Sequence, residues 1–113
     1  MKTKSTTTRP KLKTDFIVAL KGFGLMAEQY VEAMSSSTAS MKRVLKTERQ
    51  FDKFENVMLH YLDTDPMAHG HCGKLVKRFV KEIATSGVFK YDHTIPVHRA
   101  VVWSRVADAT ILI

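Results

Sequence analysis

Lys74, Lys77, Arg78 and Lys81 stand at i, i+3, i+4 and i+7. On a helix this spacing stacks the cations along one face, while Leu75, Val76, Phe79, Val80 and Ile83 line the opposite one. Such a row suits the neutralisation of phosphates, because releasing counterions from a polyanion favours binding whatever the polymer's sequence. An exposed Arg78 could also reach a base edge. A solvated face whose lysine stems cover the edge of a core has the same pattern, so the row gains weight from a second basic region. Lys2, Lys4, Arg9, Lys11 and Lys13 occupy the first 13 positions without an acidic residue and supply +5 of the formal net charge of +7. Positions 14–65 hold six Lys/Arg against eight Asp/Glu, and 66–113 hold seven against three, so two basic regions flank a mildly acidic one.

Other residues invite chemistry less strongly. His69, His71 and Cys72 fall within four positions, and His60, Asp63 or Asp65 could complete a tetrahedral zinc site. Their spacing is unlike the usual paired knuckles, so no metal and no other cofactor is expected. Gly70-His71-Cys72-Gly73-Lys74 could offer backbone amides to a phosphate, yet it lacks the spacing of a Walker loop and has Leu75 where a Ser/Thr should follow the lysine. The same residues resemble the GxxG loop of KH domains, which implies a nucleic-acid backbone clamped between two helices. Lys21-Gly22-Phe23-Gly24-Leu25-Met26 is similar to the start of the RNA-contacting motif of RRM and cold-shock domains, which implies a strand with a base-stacking aromatic ring. The strands such domains need before it have no room in the twenty residues that precede it, and Ala27 to Met34 keep helical periodicity, so Phe23 is assigned to the core. Cys72 and a neighbouring histidine do not make a nucleophile and base, since adjacent residues rarely point at each other and no third group can be named. Glu48, Asp52 and Glu55 read as a mixed-charge, solvated helix face with Lys42, Arg49 and Lys53. The chain is expected not to be an enzyme.

The elements that must carry these residues are mostly helical. Phe16, Leu20, Phe23, Ala27, Tyr30, Val31 and Met34 recur every three or four positions from Thr14 onward and predict a first helix, with a break possible at Gly22 and Gly24. A second helix is expected from about Ser40 to Leu62, with Met41, Val44, Leu45, Phe51, Phe54, Met58, Tyr61 and Leu62 inward. Thr47 and Gln50 have capping-box spacing that would restart it. After Pro66 a Gly/His-rich link leads to a third helix from about Gly73 to Thr85, stopped by Gly87. Val88 to Tyr91 and Val97 to Trp103 suit a short hairpin. A helix competes there, with Thr94 as its cap and Pro96 in its first turn.

The expected fold is thus mainly α: a single three-to-four-helix domain over 14–113, preceded by a basic arm over 1–13 that is disordered in isolation, with an α+β alternative at the C-terminus. No apolar run reaches the ~18 residues of a membrane span, and the lone Cys72 suits a reducing, cytoplasmic setting. Trp103, Val106, Ile111, Leu112 and Ile113 look surplus to one core and predict a homodimer. The functional expectation is a small non-enzymatic nucleic-acid-binding protein that uses the arm and the Lys74 to Lys81 face on phosphates. The alternative is a protein-binding module whose basic face meets an acidic protein surface.

Overall fold

The computed structural model describes residues 12–111. Four helices follow in order: α1 (Thr14–Ser35), α2 (Met41–Thr64), α3 (Pro66–Ser86) and α4 (Pro96–Ile111), and the described residues contain no strand. No helix of the described residues is long and apolar enough to cross a membrane.

The first helix lies at the centre, packed against both α2 and α4, and α3 in turn touches α2 and α4. Its buried residues are largely those its periodicity marks: Phe16, Leu20, Phe23, Ala27 and Tyr30, though Met34 is exposed. Aromatic rings join the three helices, with Phe23 5.3 Å from Phe51 and 5.1 Å from Trp103 between ring centroids, and Tyr30 5.6 Å from Phe51. Each such ring removed from water contributes about 1.5–3 kcal/mol. The helix passes unbroken through Gly22 and Gly24. At Gly24 the backbones of α1 and α4 come so close that an added Cβ would overlap the Cβ of Ala107.

Ser40 caps α2, its Oγ accepting from the N–H of Arg43 at 3.1 Å. The restart expected at Thr47 does not occur. Its hydroxyl turns back onto the carbonyls of Arg43 and Val44, at 3.1 and 2.9 Å, as a mid-helix threonine can do without ending the helix. Met41 and Leu45, expected inward, are 71% and 47% exposed, because they precede the stretch of α2 that is buried, around Phe51, on which Phe23 and Tyr30 of α1 stack.

One residue, Asp65, separates α2 from α3. Its N–H bonds to the carbonyl of Tyr61 at 2.9 Å and closes α2, while its Oδ1 accepts from the N–H groups of Met67 and Ala68 at 3.1 and 3.4 Å and opens α3. Pro66 fills the first position of α3, where a missing N–H costs nothing. The Gly/His-rich stretch expected as a link is therefore helical. The cost of Gly70 and Gly73, roughly 1 kcal/mol each, is offset by this cap and by the burial of Ala68 and Cys72. The helix stops where expected, at Gly87, whose φ of 73° is left-handed.

The C-terminal segment takes the helical alternative; residues 88–95 form a loop rather than a hairpin. Thr94 does not cap α4, since its N–H and hydroxyl both donate to Oδ1 of Asp92, at 2.9 and 2.7 Å. The carbonyl of Ile95 opens the helix instead, accepting from His98 and Arg99. Trp103 and Val106 are buried in this chain's own core, at 7% and 0% exposure, so they are not the surplus that predicted a dimer. Ile111 is half-exposed, while Leu112 and Ile113 lie outside the described residues.

Leu12 and Lys13, assigned to the arm, belong structurally to the domain. Leu12 packs against the core, and the carbonyl of Lys13 accepts from the N–H of Ile17 at 3.1 Å. Lys2, Lys4, Arg9 and Lys11 lie outside the described residues.

Candidate functional site

The face of α3 that carries Lys74, Lys77, Arg78 and Lys81 is exposed along its length, opposite the buried Cys72, Phe79 and Ile83. At 1.5 Å per residue the row spans about 10 Å. Arg78 is partly committed: its Nε donates to Oε2 of Glu82 at 3.0 Å, and its guanidinium carbon lies 5.0 Å from the centroid of the Phe79 ring. Lys74, Lys77 and Lys81 form no ion pair among the described residues. Lys90, exposed on the loop just past α3, borders a shallow pocket of about 450 Å³ with Val80, Ala84 and Phe89, which adds a cation near the C-terminal end of the helix.

The residues weighed for metal or covalent chemistry are not brought together. His69 is exposed. The Nε2 of His71 lies 2.7 Å from Oγ1 of Thr110, which itself donates to the carbonyl of Val106 at 2.8 Å, so the imidazole is the donor. Burial lowers the pKa of His71 from its ordinary 6.5 and keeps the ring neutral. Cys72 points into the core at 1% exposure, and burial pushes its thiol up to about 12. Among the described residues no three His, Cys, Asp or Glu side chains are grouped so as to hold a metal ion. The Gly70 to Lys74 segment lies inside a helix, where its N–H groups are engaged, so it is neither a phosphate-cradling nor a KH-like loop. Phe23 has 0% exposure on a helix and is not a stacking platform.

One polar centre escapes the sequence reading. Glu55, assigned to a solvated face, is 9% exposed and receives both Nε and Nη2 of Arg99, at 2.8 and 3.0 Å. The third arm of the fork, Nη1, donates to the carbonyl of His93 at 2.8 Å. Arg99 therefore ties α2, α4 and the loop before α4 together. The bond to Glu55 raises the pKa of Arg99 further. Neighbouring Asp52 is raised by desolvation and then by the charges of Glu48 and Glu55. A cleft of about 470 Å³ opens beside the pair, walled by Leu59, Val76, Tyr91 and Trp103. With its fork committed on three sides, Arg99 has little left for an anionic ligand. The pair is 44 residues apart in sequence, and no local pattern signals it.

Glu48, on the same acidic stretch, accepts from the Tyr30 hydroxyl at 3.0 Å, and burial followed by this bond pushes the phenol up to about 12. No family model, curated protein or solved structure matches the chain.

Proposed function

We propose that this is a small, non-enzymatic, cytoplasmic nucleic-acid-binding protein that holds phosphates through the α3 face, with the arm residues Lys2, Lys4, Arg9, Lys11 and Lys13 adding charge. The observation that carries the reading is the row of Lys74, Lys77 and Lys81 on one exposed face, without carboxylate partners among the described residues, on a helix whose other side is core. Cations left free over about 10 Å of rigid helix repel one another and gain most from a polyanion. Reversing Lys77 and Arg78 to glutamate should lower affinity for a labelled oligonucleotide at least tenfold at ~50 mM salt. Equal binding by the variant would remove the α3 face from the account.

A second reading, a protein-binding module, draws on a different place. Met34, Met41 and Leu45 are all exposed, Met41 most of all, at the corner where α1 hands over to α2. Scattered exposed residues are ordinary, so the reading stands second. Co-purification of a partner that survives nuclease treatment and is lost on Met41→Glu would favour it.

A further inference from the structure

We infer that the polymer held by the α3 face is a duplex and not a single strand; this rests on the reading above and names its substrate class. Proteins that bind single strands combine a basic groove with aromatic rings on which successive bases stack, each worth about 1–3 kcal/mol. The chain has ten aromatic residues, and every one lies within the described residues. Phe16, Phe23, Tyr30, Phe51, Phe79 and Trp103 are buried in the core. The remaining four, Phe54, Tyr61, Phe89 and Tyr91, are half-buried, with Phe54 and Tyr61 packed on the core. Phe89 and Tyr91 have a partner in the imidazole of His98, 4.2 and 6.1 Å from it between centroids. Arginine can replace an aromatic ring as a stacking plane, but Arg78 is drawn to Glu82 and over its own neighbour Phe79. What α3 presents outward is therefore charge on aliphatic stems: the Phe79 ring beneath Arg78 is buried, and Phe89, at the edge of the face, is held against His98.

Such a surface gains from charge density alone, and a duplex offers more. It carries one phosphate per ~1.7 Å of axis, and each contact steepens the salt dependence by ~0.9 on a duplex against ~0.7 on a single strand. For four contacts that difference amounts to about tenfold in affinity at ~50 mM salt.

The experiment titrates the full chain with a duplex and with a single strand carrying the same number of phosphates, at ~50 and ~200 mM salt, alongside the Lys77→Gln/Arg78→Gln variant. The expected result is a duplex preference of about tenfold at the lower salt, shrinking as salt rises and reduced in the variant. Single-strand binding as tight as duplex binding, in a variant-sensitive manner, would overturn the duplex inference while leaving phosphate binding by α3 intact. Binding of neither polymer at the lower salt would overturn the proposed function itself, and the inference with it.

Discussion

At the scale of single residues, two polar features decide how the domain answers to mutation and to pH. Arg99 and Glu55 form a two-pronged pair in which Glu55 is largely shielded from water. Removing one partner strands the other, so Arg99→Met should cost about 3 kcal/mol in urea unfolding. The double variant Arg99→Met/Glu55→Leu should recover most of that loss, since matched apolar residues can replace a buried pair. Losses that simply add would show that the pair contributes nothing as a pair. His71 gives a pH signature. Its pKa is lowered in the folded state, so below 6.5 the unfolded chain takes up a proton that the folded chain resists. Stability is thus fully present above that value and falls as pH drops from 6.5 toward the lowered folded pKa. His71→Gln should flatten this part of the stability curve between pH ~7 and ~5; an unchanged curve would mean the ring is not held neutral against Thr110. Neither feature was legible in the sequence: Glu55 and Arg99 lie 44 residues apart, and His71 and Thr110 lie 39 apart. Only tertiary packing decides that one carboxylate on a mixed-charge helix meets an arginine, a second the Tyr30 hydroxyl, and Asp52 between them water.

At the scale of elements, local signals fix the structure where one principle acts and mislead where two compete. The α1 periodicity held because both neighbouring helices press on the face it defines. Gly87 stopped α3 because a left-handed residue after an apolar run has few other uses. Asp65 and Pro66 close α2 and are equally fit to start a helix, a signal that Gly70 and Gly73 mask in the sequence. Those glycines and Gly24 make a clean contrast. A Cβ at Gly73 meets nothing within 4 Å, so Gly73→Ala should raise stability by up to ~1 kcal/mol. A Cβ at Gly24 would overlap that of Ala107, and Gly24→Ala should cost about 2 kcal/mol as α1 and α4 are pushed apart. Thermal unfolding of the two variants checks both signs; a stabilised Gly24→Ala would mean the α1–α4 approach is looser than the structure has it. Asp65→Ala, which removes the cap of α3, should cost about 1 kcal/mol.

At the scale of the whole molecule, the fold draws all ten aromatic residues into or against one four-helix core and leaves cations on its outer surface, beside exposed aliphatic residues such as Val18, Leu25 and Met41. Counting apolar residues without knowing where α4 lies made Trp103 and Val106 look superfluous; against α1 they complete the core. The basic row, by contrast, was legible in full, because its four members sit within eight positions of one helix and need no long-range contact to align. The most direct test of its role is the salt dependence of binding to duplex DNA. If Lys74, Lys77, Arg78 and Lys81 each neutralise a phosphate, log affinity should fall against log salt with a slope of at least about −3.6. Replacing all four by glutamine should then make the slope shallower by about the same amount while the helical circular dichroism is unchanged. A slope near zero in the parent chain, or one that the four substitutions leave unaltered, would contradict the account.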